Sequence, residues 1–279
     1  MFDRLKIGGS RLVLSLLGLA GAVVLWGLLT ASADPGTLTG RFAPDLALPA
    51  LVDFVGSGVG RHHVIVTLQR LLAGLAAASI VGVVTGVVIG LSDKAADATS
   101  GVFQFLRMIS PLAWTPIAVA VFGVGDAPVL FLVAVAATWP IVLATSAGIH
   151  AVDRAWVEVA LSLSATRWET VRAVYVPAIR AHIATGVRVA LGVAWIVIVP
   201  AEMLGVDSGL GYAILDARDR LDYPELMGVI LLIGILGTGL DLAVRTITRP
   251  TSTRHRGGAD RPSQKTHSHL IAGGHNGRR

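Results

Sequence analysis

Long uncharged apolar runs alternate along this chain with shorter charged segments. The hydrocarbon core of a bilayer is about 30 Å thick, so a helix rising 1.5 Å per residue needs roughly 20 apolar residues to cross it. About six stretches are long and apolar enough: residues 12–33, 71–92, 108–125, 127–152, 189–206 and 226–244. The pattern predicts an all-α integral membrane protein with about six transmembrane helices, spread over a domain of residues 1–249.

Composition agrees with this pattern and excludes several kinds of chemistry. The chain is 53% hydrophobic and only 15% charged, with a mean hydropathy of +0.70, an apolar excess that a soluble domain would expose to water. It contains no cysteine, which excludes disulfides, thiolate catalysis and the usual Cys/His zinc sites. The four histidines of the tail are interpreted as solvated side chains, and no metal site is predicted.

Basic residues predict how the chain is oriented in the membrane. Lysine and arginine are retained in cytoplasmic loops, and the tail after Val244 and the segment 152–188 are both rich in arginine. We therefore expect segment 152–188 and both termini in the cytoplasm. Residues 250–279 lack any apolar period and are predicted to be a disordered basic tail. Orientation explains the net charge of +5 without a nucleic-acid partner.

The first predicted span has an alternative interpretation. Ala31, Ser32 and Ala33 have the small-x-small form of a signal-peptide cleavage site. The apolar run is longer than the ~7–15 residues of a signal-peptide core, which favours an uncleaved first helix. Residues 34–63 follow, and their many Pro and Gly residues predict a loop on the outside.

Small and helix-breaking residues mark the faces that other helices or a solute would contact. Gly82, Gly86 and Gly90 recur every fourth residue, which predicts a helix face for close packing. Prolines inside spans kink helices and are tolerated where neighbours or a water-filled cavity satisfy the freed carbonyl. Three side chains beside such prolines are candidates for lining a translocation path: Trp114, Thr138 and Trp139.

Charged residues within or beside the spans are the remaining candidates. An ionised carboxylate in a membrane is costly, so Glu202 should be paired, hydrated or functional, and we add it to the path candidates. Asp241 is predicted to pair with Arg245 four residues later. Arg70 flanks a predicted span, where it would attract anions or extend its head group towards the interface.

Segment 152–188 shows helical periodicity in two pieces. Trp156, Ala160 and Leu163 fall on one apolar face of a first short helix. Thr166 and Glu169 have the spacing of a capping box, which predicts the start of a second helix that Pro177 would end. We expect two short helices joined by a turn at the membrane surface.

The residues of this segment resemble a known motif. Glu158-Val159-Ala160, then Ser164, and a Val-Tyr-Val-Pro sequence ending at Pro177 are similar to the Glu-Ala-Ala loop of permease subunits of bacterial binding-protein-dependent ABC importers. The similarity extends over residues 64–249, and FGVGD at 122–126 and SGLGYAILDARD at 208–219 resemble the nitrate, sulfonate and taurine branch. Two residues depart from the motif: Val159 replaces an alanine and Ser164 replaces a glycine. A non-glycine residue in a left-handed turn costs roughly 1 kcal/mol, which would let this loop bend differently.

The resemblance implies a type I ABC importer permease in a bacterial inner membrane, with a cytoplasmic coupling loop that docks on a separate ATPase. ATP would be bound by that partner, because the lysines of this chain, Lys6, Lys94 and Lys265, do not lie in a phosphate-binding Gly-Lys-Ser/Thr sequence, and no cofactor is expected here. A second permease copy, forming a homodimer, and an extracytoplasmic substrate-binding protein would complete the transporter. Six residues are candidates for ATPase coupling: Glu158, Ala160, Ser164, Arg167, Trp168 and Pro177.

The expected function is import of a small anion or organosulfur solute such as nitrate, a sulfonate or taurine. A secondary transporter is the alternative, with Glu202 or Asp241 carrying the coupling ion. A membrane enzyme is disfavoured, since the sequence contains neither Gly-x-Ser-x-Gly nor His-Glu-x-x-His.

Overall fold

The computed structural model describes residues 17–18, 20–31, 37 and 40–247, without the side chains of Asp93 and Ile247. Every regular element in these ranges is helical. The α-helices are α1 (Ala20–Ala31), α2 (Pro44–Gly56), α3 (Gly58–Leu91), α4 (Asp93–Met108), α5 (Thr115–Phe122), α6 (Asp126–His150), α7 (Arg154–Ser162), α8 (Arg167–Thr170), α9 (Val176–Glu202), α10 (Leu210–Asp219) and α11 (Tyr223–Ile247). Short 3₁₀ turns at Gly40–Phe42 and Pro111–Trp114 precede α2 and α5.

Within the described residues, four continuous helical stretches are long and apolar enough to cross a membrane. They are Gly58–Leu91, Asp126–His150, Arg167–Glu202 and Tyr223–Thr246. A fifth crossing is available if α4 and the helices after it, which are bent by 90°, form one broken span. The all-α multi-pass fold is confirmed. The first predicted span is described only at residues 17–18 and 20–31, and the tail 250–279 lies outside the described residues.

Two predicted segments differ from the structure in their secondary structure. Residues 34–63 are not simply a loop: Pro44 occupies the first turn of α2, where its missing N–H costs nothing, and Ser57 caps α3 through the Gly60 amide at 2.9 Å. Residues 108–125 are not one straight span. The helix ends at Met108 because Pro111 disfavours helical geometry at Ser110, which is extended with ψ of 130°.

The three central helices pack through glycines, as the sequence predicted for α3. Cβ atoms placed on Gly82, Gly86 and Gly90 would lie 2.7–2.9 Å from side chains of α6, namely those of Ile141, Thr145 and Ile149. In these three contacts the residue number increases in the same direction along both helices, so α3 and α6 are parallel. Gly186 of α9 meets Ala144, and Gly148 of α6 meets His182, which makes α9 antiparallel to α6.

This arrangement defines two ends of the bundle. α6 begins and α9 ends at one of them, hereafter the Asp126 end. α7 and α8 connect α6 to α9 at the other, hereafter the α7 end. α2 and α10 pack near the start of α11 at the Asp126 end, where Gly228 lies against Leu51 and Phe54 joins a small apolar core with Leu210.

Candidate functional site

The first candidate site is the segment 152–188 at the α7 end. The Asp153 carboxylate caps α7 by accepting from the Ala155 amide at 3.0 Å. The helix ends in a Schellman motif, in which the Ala165 amide donates to the Ala160 carbonyl at 3.1 Å and the Ser164 amide to the Leu161 carbonyl at 2.9 Å. Ser164 has φ of +57°, so it adopts the left-handed turn although it is not glycine.

The second helix of this segment begins as predicted and ends elsewhere. The Thr166 amide donates to the Glu169 carboxylate at 2.7 Å, and the Glu169 amide donates back to the Thr166 hydroxyl at 3.3 Å, a complete capping box. Pro177 was predicted to end the helix, and this was wrong. A π-turn over Val171–Tyr175 widens the backbone just before the proline, which relieves the clash of its ring with the preceding turn, and the helix continues to Glu202.

The predicted coupling residues lie mainly on the surface of this segment. Glu158, Ser164, Arg167 and Pro177 are exposed and Ala160 is half-buried. Trp168 is 70% exposed. Other large apolar side chains of the segment are exposed as well, namely Trp156, Val159, Leu161 and Leu163. The structure thus presents an apolar surface on a short helical hairpin whose shape is set by its own backbone hydrogen bonds.

The second candidate site is a buried ionic group at the Asp126 end, hereafter the Arg70 cluster: Thr67, Arg70, Asp126, Glu202 and Ser208. Arg70 Nη1 donates to Glu202 Oε1 at 3.0 Å and to the Ser208 carbonyl at 2.7 Å. Arg70 Nε donates to Asp126 Oδ1 at 2.8 Å, and Nη2 donates to the same oxygen and to Ser208 Oγ. One guanidinium therefore joins α3, α6, α9 and the loop 203–209.

Glu202 is fully buried, and its carboxylate accepts from three donors: Arg70, Thr67 and Gly211. The Thr67 hydroxyl lies 2.9 Å from both carboxylate oxygens, and the Gly211 amide donates to Oε2 at 3.0 Å. These bonds offset the cost of removing the charge from water. Gly209 has φ of +106°, and a Cβ there would overlap the Glu202 carboxylate, so glycine is required at this position.

Sequence reasoning missed the importance of Arg70. It was expected to flank a span and there either to attract anions or to extend its head group to the interface. The flanking position was wrong: α3 begins at Gly58, so Arg70 lies within the helix and is only 5% exposed. The sequence did contain a signal for this contact: Arg70 stands directly before one apolar run, and Glu202 is a carboxylate inside another, so each charge needs a partner. Asp241 pairs with Arg245 at 2.7 Å, as predicted, and lies 3.7 Å from Arg188.

The structure does not bring the four path candidates together. Thr138 donates to the Ala134 carbonyl at 2.7 Å, and Trp139 packs edge-on against Phe103 beside a cavity of about 240 Å³. Trp114 is half-buried against the main core. Trp139 lies on α6 thirteen residues after Asp126, hence roughly 20 Å from the Arg70 cluster that contains Glu202. Their role in a path remains a prediction.

Residues 50–250 match the family described as binding-protein-dependent transport system inner membrane component. The chain belongs to this family. It is thus a permease subunit of an ABC importer, which confirms the family resemblance drawn from the coupling loop and makes the chain a multi-pass inner-membrane transport component.

Curated relatives of this permease span most of its length. The bicarbonate transport system permease protein CmpB of Synechococcus elongatus is 31% identical over 88% of this chain and 91% of that protein. The nitrate import permease protein NrtB of Leptolyngbya laminosa is 34% identical over 68% and 69%, and the taurine transport system permease protein TauC of Escherichia coli is 30% identical over 70% of each chain. The branch predicted from the sequence is confirmed.

A solved structure shows the same fold. The permease resembles an inward-facing form of the MetNI methionine ABC transporter with a TM-score of 0.54 and 17% identity, covering 65% of this chain and 93% of that chain. The fold is therefore that of a type I importer permease.

Proposed function

We propose that this permease forms the translocation path of an ABC importer for a small oxyanion or organosulfur solute, driven by a separate ATPase that docks on α7 and α8. The bicarbonate, nitrate and taurine permeases among its relatives support the solute class, since these three solutes are compact and each presents a carboxylate-like or sulfonate oxyanion. An external binding protein would deliver the solute.

One observation carries the docking proposal: large apolar side chains are exposed on the hairpin of α7 and α8. Trp156 and Leu163 are 66% and 77% exposed, and Trp168 is 70% exposed. Tryptophan and arginine dominate the energetics of protein interfaces, and Arg167 stands next to Trp168. Because capping bonds already hold the hairpin in shape, a partner would bind it without first ordering it.

Charge gives the orientation of this site. The arginines of segment 152–188 place the α7 end in the cytoplasm under the positive-inside rule. The Asp126 end then faces outward, where the binding protein would dock, and both termini are cytoplasmic. A second copy of the chain would complete the path as a homodimer in the lipid bilayer.

Co-purification and uptake test this proposal together. The permease is expressed with the genes beside it and purified with its ATPase, and uptake into proteoliposomes is measured with and without ATP. Arg167→Ala and Trp168→Ala should weaken ATPase recovery and ATP-driven uptake. Ile196→Ala, which removes a 75% exposed side chain from α9 away from the hairpin, serves as the control. Full ATPase recovery by both hairpin variants would overturn the docking site.

The family match rules out the secondary-transporter alternative, because the family consists of binding-protein-dependent importers. Glu202 and Asp241, the carboxylates that this alternative required, both have arginine partners. Uptake should accordingly require ATP, and a proton or sodium gradient alone should not drive it. The solute itself is identified by calorimetric titration of the external binding protein with nitrate, bicarbonate and taurine.

A further inference from the structure

Arg70 holds two carboxylates that differ in how firmly they are fixed. Glu202 is inaccessible to solvent and accepts hydrogen bonds from Thr67 and Gly211 besides the one from Arg70. Asp126 is 65% exposed, and its side chain is bound through Oδ1 alone. In the described part of the chain, Oδ2 has no partner. The Asp126 carboxylate can therefore be hydrated when it leaves Arg70, provided that another acceptor takes its place, whereas the Glu202 carboxylate cannot.

The group that Asp126 covers is built to bind an oxyanion. The Nε and Nη2 atoms of a guanidinium form a planar fork that matches two oxygens of a carboxylate, nitrate or sulfonate. In Arg70 this fork is fixed, because Nη1 is occupied by Glu202 and the Ser208 carbonyl. The Ser208 hydroxyl lies 3.0 Å from Nη2, beside the fork. Only 5% of the Arg70 side chain is exposed to solvent.

The start of α6 adds to the same position. Asp126 is the first residue of a 25-residue helix, and its N-cap, Gly125, provides no side-chain hydrogen bond to the first amides. The positive end of the helix dipole therefore lies at this end of α6, of which Asp126 is the first residue. Burial of Arg70 is the independent observation here: Glu202 bonds only Nη1, so the Nε–H and Nη2–H groups need another oxygen acceptor whenever Asp126 leaves.

We propose that Asp126 is an exchangeable internal anion, and that the Nε–Nη2 fork of Arg70, Ser208 and the start of α6 form a binding site for a solute oxyanion. A nitrate, bicarbonate or sulfonate group displaces the Asp126 carboxylate and replaces one negative charge by another. The buried arginine keeps a counter-ion throughout. Because Asp126 competes for the fork, the solute is held weakly enough to be released. The solute class rests on the proposed function.

Thermal stability of the purified permease–ATPase complex tests this site without requiring transport. Unfolding midpoints are measured in sodium nitrate, sodium bicarbonate and sodium methanesulfonate, each against sodium chloride at equal ionic strength. Asp126→Ala removes the competing carboxylate. At an anion concentration ten times Kd, its midpoint should rise by roughly 3–5 °C, and wild type should need at least about tenfold more anion for the same rise.

The matched control is Asp219→Ala. Asp219 is 67% exposed and pairs with Arg218, an exposed arginine, so its removal uncovers no buried guanidinium. This variant should respond to the three anions as wild type does. Ser208→Ala combined with Asp126→Ala should reduce the anion-dependent rise. An equal rise in Asp219→Ala would show a general salt effect and overturn the proposal.

Loss of stability in Asp126→Ala that none of the three anions reverses would also overturn it, because Asp126 would then be a structural tie only. If Asp126→Ala cannot be purified, Asp126→Asn replaces it, because asparagine keeps the side-chain volume and removes the charge. An unfolding midpoint of Asp126→Asn that none of the three anions raises would then overturn the proposal. Failure of the proposed function is separately visible. Absence of nitrate, bicarbonate and taurine uptake alongside a preserved midpoint shift would reject the solutes and leave the site standing.

Discussion

Arg70 Nη1 lies 3.0 Å from Oε1 of Glu202, across 132 residues of sequence, and both side chains are buried. The pair joins the middle of α3 to the last residue of α9. A buried ion pair adds little stability relative to apolar packing, but removing one partner leaves an uncompensated charge. The contact therefore makes the geometry at the Asp126 end depend on both residues.

Glu202→Gln should destabilise the permease strongly. The amide keeps the shape of the side chain, but its NH2 group replaces an oxygen that accepts from Arg70 or from the Gly211 amide, which leaves buried donors unpaired at a cost of about 1–3 kcal/mol. The unfolding midpoint of the purified complex measures the effect. Asp241→Asn is the control, because its ion pair with Arg245 is about half exposed and such pairs contribute less than about 1 kcal/mol. Equal losses in the two variants would contradict the special role of burial.

Gly86→Ala should separate α3 from α6. The added Cβ would lie 2.7 Å from Thr145 Cβ and 2.8 Å from the Val142 carbonyl oxygen, and this backbone atom cannot move aside alone. Overpacking of this kind costs about 1–3 kcal/mol. Gly192→Ala in α9 has no described atom within 4 Å and should be neutral or stabilising, as helix propensity favours alanine. Equal unfolding midpoints of the Gly86→Ala and Gly192→Ala variants would contradict the close packing of α3 against α6.

Trp168→Ala should weaken ATPase binding while leaving the fold intact. The ring is 70% exposed, so its removal creates no cavity within the permease. If Trp168 anchors the interface, truncation should cost about 2 kcal/mol, or roughly a thirtyfold rise in the Kd of the ATPase. Surface-immobilised permease titrated with the ATPase gives this Kd. A lowered unfolding midpoint with unchanged affinity would instead assign the ring to internal packing.

Ser164→Gly should stabilise the hairpin of α7 and α8. Ser164 has φ of +57°, which costs a non-glycine residue roughly 1 kcal/mol. Glycine removes that strain, and hydrogen exchange of the α7 amides should slow by up to about fivefold. Ser162→Gly, in the last helical residue of α7, should have the opposite effect since glycine weakens a helix. Faster exchange in both variants would argue against strain at Ser164.

The local features of the fold were predictable because their causes are local in sequence. Thr166 and Glu169 are three residues apart, and their capping box follows from that spacing. The glycine face of α3 repeats every fourth residue, so its packing role was visible before any partner was known. The motif around Glu158 indicated the family. By contrast, the π-turn before Pro177 depends on small backbone adjustments that no residue pattern specifies.

The sequence by itself determined that the chain is helical, crosses a membrane repeatedly and carries a capped hairpin between two spans, because apolar run length and turn chemistry act within a few residues. Tertiary structure alone decided that Arg70 is buried rather than at the interface. It also decided that Glu202 is its partner and that Asp126 lies exposed on the other side of the guanidinium. These choices follow from helix packing, which brings charges from distant segments together where water is excluded.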